Sequence, residues 1–214
     1  FFSKEIHSKI SKELKQSQEW GFLQTSNGGT QTGETKFWIS VLGGYLKKAG
    51  LLKYNAFYEK KLYNFILQKI TPFLQEKYKN QEIEIIPLEI YANGQTRGQI
   101  GNWHQDSQDD NAWTFLYYVN DEEWNKVKWG GATCFSDSIE NTLENHYNPN
   151  SAVLFKSTIW HYGNDPSIYY NGLRISLAYK LQIYKKGTIN YYQFLDNKKK
   201  QVIQIKSNEI EKIK

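Results

Sequence analysis

The chain is poor in several residues whose abundance would each point to a different kind of protein. Its 214 residues include one cysteine, four prolines and no methionine. A single thiol cannot staple a small secreted scaffold, so an internal disulfide framework is excluded and a reducing compartment is expected. That thiol, Cys134, lies in an apolar run and reads as a small core residue. No run of about eighteen apolar residues occurs, so no membrane-spanning helix is expected. The opening FFSKEIHSK lacks the apolar centre of a secretory signal, which makes the cytoplasm the expected location. Missing methionine is read as a start inside a longer reading frame. Arginine is also scarce: of 27 lysines and arginines only Arg97 and Arg174 are arginine. Lysine serves wherever a plain positive charge is enough, so arginine is expected where its planar fork matters, because that fork binds a carboxylate through two parallel hydrogen bonds.

What is present argues for one folded domain. Aromatic residues make up 16% of the chain, which excludes a disordered polar segment. The net charge of +5 could suggest nucleic acid, but much of the excess sits in the tail NKKKQVIQIKSNEIEKIK, and Lys, Asn, Ile and Tyr are abundant together, as AT-rich coding produces. A solvated basic surface is the simpler reading. Ser3 can cap a helix whose Ile6, Ile10 and Leu14 form one apolar stripe. A second stripe is Tyr58, Leu62, Phe65, Ile66, Ile70 and Phe73, which Pro72 should kink or shorten. From Ile83 onward short alternating runs take over: EIEIIPLEIYA, IGNWHQDS, WTFLYYVN, ATCFSD, SAVLFKST and LRISLAYKLQIY. Their spacing predicts two packed antiparallel sheets, hence a mainly β fold with flanking helices: a double-stranded β-helix, or jelly roll, buttressed by N-terminal α-helices. A single domain is expected over residues 1–185, with helical support over about 1–80 and the jelly-roll core over about 82–185. Residues 186–214 would form an extension, with a hairpin around Asp196 and Asn197 and a basic tail. Extra sheet edge, dimer contact and partner binding are all compatible with it.

Chemistry concentrates in NWHQDS, IWHYGNDP and NGLRISLAYK. If NWHQDS is extended, residues two apart share a face, so His104 and Asp106 reach one point in space. A second strand carrying His161 would close the triangle. Two imidazoles and a carboxylate on one face of an octahedron leave three open positions, the arrangement of non-haem Fe(II) oxygenases, whereas four closed ligands would suggest structural zinc. Arg174 follows His161 by thirteen residues, and Ser176 shares its strand face. Together they would hold the far carboxylate of a dicarboxylic acid whose other end chelates the metal. In WTFLYYVN, Thr114, Leu116 and Tyr118 share one face, so Tyr118 faces a cavity only if the other two line it. His7 reads as a solvated helix residue and His146 as a loop residue.

These residues resemble the 2-oxoglutarate and Fe(II)-dependent dioxygenases, and within them the prolyl 4-hydroxylase-like branch, from about Phe2 to Lys185. LEIYANGQTRGQIGNWHQDS looks like the strand, glycine-bearing loop and metal segment that open the family's core, with Tyr91 where an active-site tyrosine often stands. WTFLYYVNDEEWNKVKWGGATCFSD is similar to the Tyr-Tyr strand, variable loop and Gly-Gly-x-Thr-x-Phe strand, here Gly130, Gly131, Thr133 and Phe135. His161, Gly163, Pro166, Gly172 and Arg174 follow the family's His-x-Gly, Pro, Gly-x-Arg order, with a slightly longer loop. The resemblance implies Fe(II) held by His104, Asp106 and His161, which are also the catalytic residues. It further implies 2-oxoglutarate held by Arg174, Ser176, Tyr118 and Tyr91, O2 as oxidant and ascorbate as a stimulant. The implied reaction decarboxylates 2-oxoglutarate to succinate and CO2 while hydroxylating a peptide or protein, most readily at proline. Arg97, Trp103 and Trp160 are candidate substrate contacts by proximity, and Ser26 to Thr35 a candidate lid. Asp106 argues against a halogenase, which lacks the carboxylate. Arg174 is the last arginine, which argues against a nucleic-acid demethylase carrying a second one. A free amino acid, other small molecule or nucleic acid as substrate, and a non-enzymatic metal-binding jelly-roll module, are the alternatives.

Overall fold

The computed structural model describes residues 1–27, 34–44, 55–138 and 141–188. The hairpin expected around Asp196 and Asn197, and residues 28–33 of the expected lid, lie outside the described residues. Helix α1 (Lys4–Gln16) is followed by β1 (Gly21–Gln24), β2 (Phe37–Gly43) and α2 (Tyr63–Lys77), which is entered through π-helical turns at Phe57–Leu62. The remaining elements are β3 (Ile83–Gln95), β4 (Ala112–Tyr118), a single-turn α3 (Lys126–Trp129), β5 (Thr133–Ser138), β6 (Asn141–Asn145), β7 (Ala152–Lys156), β8 (Trp160–Gly163) and β9 (Arg174–Lys185).

Among the described residues the strands form two antiparallel sheets, a six-stranded one in the order β1-β2-β3-β9-β4-β7 and a three-stranded one in the order β6-β5-β8. This is the expected jelly roll with flanking helices. The first third of the chain is less helical than expected, because β1 and β2 extend the large sheet beyond β3. The apolar run FWISVLG is short enough to be buried as a strand, and Phe37, Ile39 and Leu42 are buried in it.

Strand alternation divides the large sheet between two environments. On β9, Ile175, Leu177, Tyr179, Leu181 and Ile183 join Trp113, Phe115 and Tyr117 of β4 and the buried faces of α1 and α2 in one core. The even-numbered Arg174, Ser176, Ala178 and Lys180 point the other way, into a cavity between the sheets. On β4, Thr114 and Leu116 also line that cavity.

Both helices pack as amphipathic elements, with adjustments. Ser3 caps α1 by accepting from the Ile6 amide at 3.3 Å. The buried face of α1 is His7, Ile10, Ser11 and Leu14, one position round from the expected stripe. His7 is therefore not solvated: it is 8% exposed, and its Nδ1 lies 2.6 Å from the Tyr117 hydroxyl. In α2 the buried side chains are Tyr63, Ile66, Ile70 and Leu74, while Phe73 is 43% exposed, packs edge-to-face with Trp113 and carries the Lys77 ammonium over its ring. Pro72 does not shorten α2, which continues to Lys77. Its ring deprives the Gln68 carbonyl of a partner, and both Gln68 and Pro72 are on the exposed side, where water can replace the bond. Ile66, fully buried between helix and sheet, should lose about 2–5 kcal/mol when cut to alanine, from transfer and cavity terms together. Denaturant unfolding of Ile66→Ala against Phe73→Ala checks this, with a much smaller loss expected at the exposed ring.

Candidate active site

The cavity between the sheets, about 90 Å³ in volume, is walled by β3, β4 and β9 on one side and by β5 and β8 on the other. Its polar lining includes Asn93, Gln95, His104, Asp106, Thr114, Thr133, His161, Arg174, Ser176 and Lys180. Most of these come from positions that alternate with core residues along their strands, so the two-residue period alone brings them together.

His104, Asp106 and His161 offer ligand atoms that all lie within 4.8 Å of one another. The segment around His104 is not the expected strand: only His104 itself forms a bridge, exchanging 3.0 Å backbone hydrogen bonds with His161 in both directions. The Asp106 amide instead donates to the Ser157 carbonyl at 2.9 Å. Each imidazole is oriented from behind. Nδ1 of His104 is 2.9 Å from the Asn102 carbonyl, and Nδ1 of His161 is 2.9 Å from the Ile159 carbonyl. A carbonyl can only accept, so each Nδ1 carries the proton and each Nε2 keeps its lone pair for a cation. The two Nε2 atoms face opposite oxygens of Asp106, at 3.5 Å for His104 and 3.4 Å for His161.

Electrostatics favour the ligating states. Burial pushes the His161 pKa down to about 4, so its imidazole is neutral near pH 7. The rings of Phe155 and Phe135, at 4.8 and 6.1 Å between centroids, supply part of that dry wall. Burial alone would raise the Asp106 carboxyl, but Lys180 and the two histidines outweigh it and hold the group well below the usual carboxylate range. Two neutral nitrogens and one carboxylate oxygen on a small buried face fit a divalent ion that keeps open positions.

Arg174 is 1% exposed. Its Nε donates to the Gly131 carbonyl at 2.7 Å, Nη1 to Gln95 Oε1 at 2.7 Å and Nη2 to Thr133 Oγ1 at 3.4 Å. Of its five N–H donors, one on each terminal nitrogen is left for a further acceptor. Among the described residues no carboxylate pairs with this guanidinium, and burial draws its pKa down, as expected for a cation removed from water without a counter-anion. The residues therefore fit a carboxylate ligand as well as a metal.

Other expected site residues are placed less uniformly. Tyr91 and Ser176 line the cavity. Tyr118 is not part of the lining. It sits at the far end of β4, where its hydroxyl bonds Thr133 Oγ1 at 2.9 Å and Asn145 Nδ2 at 2.8 Å, and its ring packs on Tyr147. It reaches Arg174 from behind, with the guanidinium 5.9 Å from its ring centre. Arg97 is exposed on the loop after β3 and does not line the cavity. Trp103 and Trp160 are 39% and 49% exposed, each directly preceding a histidine of the triad, and Trp103 packs edge-on against Tyr162. Ser26, at the start of the expected lid, accepts from the Asn102 amide at 2.9 Å. Lys180 and Gln95 were not among the expected site residues. Both were within reach of the alternation rule, since Lys180 shares a face with Arg174 and Ser176, and Gln95 shares one with Tyr91.

A jelly roll carrying two histidines and an aspartate on one wall of its cavity has the architecture of a non-haem iron oxygenase. Residues 88–179 match the model of the 2OG-Fe(II) oxygenase superfamily, and this match together with the structural neighbours indicates a 2-oxoglutarate-dependent oxygenase, an oxidoreductase that uses Fe(II), 2-oxoglutarate and O2. Its fold is prolyl hydroxylase-like. A Trichoplax adhaerens prolyl hydroxylase, solved in complex with a hypoxia inducible factor oxygen degradation domain peptide fragment, is similar with a TM-score of 0.59 and 15% identity, over 87% of this chain and 81% of the other. A Pseudomonas putida prolyl-4-hydroxylase is similar with a TM-score of 0.56 and 13% identity, over 85% and 88%. A Burkholderia pseudomallei oxidoreductase of the 2OG-Fe(II) oxygenase family follows at 0.55 and 12%, over 85% and 80%. No curated protein matches the sequence.

The depressed His161 pKa has a consequence for the metal-free protein. Between pH 6.5, its ordinary value, and about 4, the unfolded chain binds a proton that the folded chain refuses, so stability falls as pH falls through that window and the loss is complete below it. His7, also lowered by burial, acts in the same direction. Melting temperatures of metal-free protein should therefore decline from pH 6.5 to 4, and His161→Asn should flatten the decline without abolishing it. Equal slopes in both proteins would show that His161 is not held neutral.

Proposed function

We propose that this oxygenase hydroxylates a peptide or protein segment, at proline, with conversion of 2-oxoglutarate to succinate and CO2. The observation that carries the reading is one cavity holding both the His104, Asp106 and His161 cluster and a buried arginine with no carboxylate partner among the described residues. Fe(II) bound there supplies the activation of O2 and the oxidising power for hydroxylation. The chain's own residues bind and orient. Arg174 presents its two remaining N–H groups to the far carboxylate of 2-oxoglutarate, which fixes the distance of the other end from the triad. Ser176, one strand pair along on the same face, offers a hydroxyl to the same group. Gln95 keeps the guanidinium plane fixed, because its own amide is anchored to the Gln99 and Gly163 carbonyls at 2.7 and 3.0 Å. Tyr118 supports Arg174 through Thr133. Phe135 and Phe155 keep water from the His161 side of the site.

For the substrate, the supporting feature is the rim. Trp103 and Trp160 are exposed beside the two histidines, and flat indole faces are surfaces on which an extended, proline-containing segment docks. The Trichoplax enzyme of the same fold is complexed with a peptide. Arg97 stands on the exposed loop beyond this rim and is assigned to outlying substrate contacts.

Three measurements check the reading. Removing one side of a buried, charge-assisted pair costs about 2–5 kcal/mol, so Arg174→Ala should raise the apparent 2-oxoglutarate constant well over tenfold, and Arg174→Lys should recover only part. Asp106→Ala should abolish succinate release while the fold is kept. With 18O2, mass spectrometry should find the label on proline in peptides. Incorporation into free amino acids or oligonucleotides alone, with peptides untouched, would overturn the substrate while leaving the co-substrate site standing.

A further inference from the structure

We propose that Lys180 is a positioning residue of the metal centre, which reserves one oxygen of Asp106 for itself and matches the centre to an anionic co-substrate at the expense of affinity for the bare cation. The inference rests on the reading that the triad binds Fe(II). It adds a residue on β9 that neither the triad nor the arginine clamp includes.

The geometry around Asp106 is asymmetric. Oδ2 receives the Thr114 hydroxyl at 2.7 Å and the Lys180 ammonium as well. Thr114 is itself steadied by Ser157 Oγ at 2.9 Å and lies 3.4 Å from the Lys180 nitrogen. Oδ1 has no hydroxyl or ammonium donor among the described residues and faces His104 Nε2 at 3.5 Å, while His161 Nε2 lies 3.4 Å from Oδ2. Two donors occupy the lone pairs of Oδ2, which leaves Oδ1 as the oxygen with electrons to give a metal. Asp106 is then a one-oxygen ligand, and the coordination positions a second oxygen would close stay open.

Charge sets the second half of the argument. Lys180 is an ammonium only 16% exposed at its side chain, beside a carboxylate only 7% exposed, with the Tyr91 ring 5.8 Å from its nitrogen. A divalent ion with two neutral imidazoles and one carboxylate carries one net positive charge. Lys180 adds a second positive charge at the centre and the Arg174 guanidinium a third in the same cavity, an excess that favours a dicarboxylate dianion. The same ammonium repels an incoming cation through a medium of low effective dielectric, and repulsion between a single and a double charge a few ångströms apart exceeds what is gained by fixing one short side chain. Lysine at this place therefore weakens binding of the metal alone and strengthens binding of the co-substrate once the metal is in.

The test uses Mn(II) as the probe metal, with calorimetry or electron paramagnetic resonance on wild type, Lys180→Met, Lys180→Gln and Lys180→Arg, each first checked for a wild-type melting profile. Both neutral variants should bind Mn(II) roughly tenfold or more tightly than wild type, and the Mn(II)-loaded forms should bind 2-oxoglutarate roughly tenfold or more weakly. Lys180→Arg should stay near wild type in both. A crystal structure of the Mn(II) form should show Asp106 binding through Oδ1 alone. Unchanged or weaker Mn(II) binding in both neutral variants, with wild type binding normally, overturns the proposal and leaves Lys180 a structural partner of Asp106. Absence of Mn(II) binding by wild type overturns the metal reading itself, and this proposal with it.

Discussion

The site depends on a carboxylate placed where a carboxylate is costly. Asp106 is almost removed from water, and an ionised group there persists only if cations and hydrogen-bond donors replace the lost hydration. The fold supplies them from separate parts of the chain, Lys180 from β9 and Thr114 from β4, while His104 and His161, on the segments that pair across the cavity mouth, turn their Nε2 atoms to the carboxylate. Each group would be poorly placed without the others. The backbone bridge between His104 and His161 holds the two imidazoles together, and the Ser157 carbonyl fixes the turn that carries Asp106 between them.

The strand β9 makes this compatible with a stable protein. Its odd residues are buried among α1, α2 and β4, and each fully buried aliphatic side chain contributes about 1.5–3 kcal/mol. The same twelve-residue strand presents Arg174, Ser176, Ala178 and Lys180 to the cavity. Core packing on one face thus fixes the register of polar groups on the other, because a slip of one residue would exchange the faces. Arg174 is held by a further device. Gly131 adopts φ +79 and its carbonyl accepts from the guanidinium, and a Cβ at that position would lie 3.1 Å from the Arg174 side chain. Tyr118, Tyr147, Trp124 and Tyr170 close the space behind as one aromatic cluster.

Much of the architecture was legible from periodicity. Alternating runs from Ile83 onward gave the large sheet its β3, β4, β7 and β9, and a helical stripe located α2. The errors have physical causes. β6 is exposed along nearly its whole length, so it carries no apolar signature. The burial of His7 is decided by the Tyr117 hydroxyl opposite it, which a helical wheel cannot see. NWHQDS has the side-chain order of a strand, but its backbone bonds go to Ser157 and His161 at irregular intervals and no ladder forms. Phe73 looks apolar enough for a core, but Leu74 takes the buried position one residue on.

At the site, a His-x-Asp pair, a later histidine and one of only two arginines were enough to propose metal ligands and a carboxylate clamp, since few side chains can do either task. Which neighbours complete the site was decided only in three dimensions. Lys180 meets Asp106 across 74 residues and Gln95 meets Arg174 across 79. Tyr118, one alternate position beyond Leu116, falls past the end of the cavity and supports Arg174 from behind. Sequence carries the period of a strand, but not where the cavity beside it begins and ends; that boundary is set by how the two sheets pack.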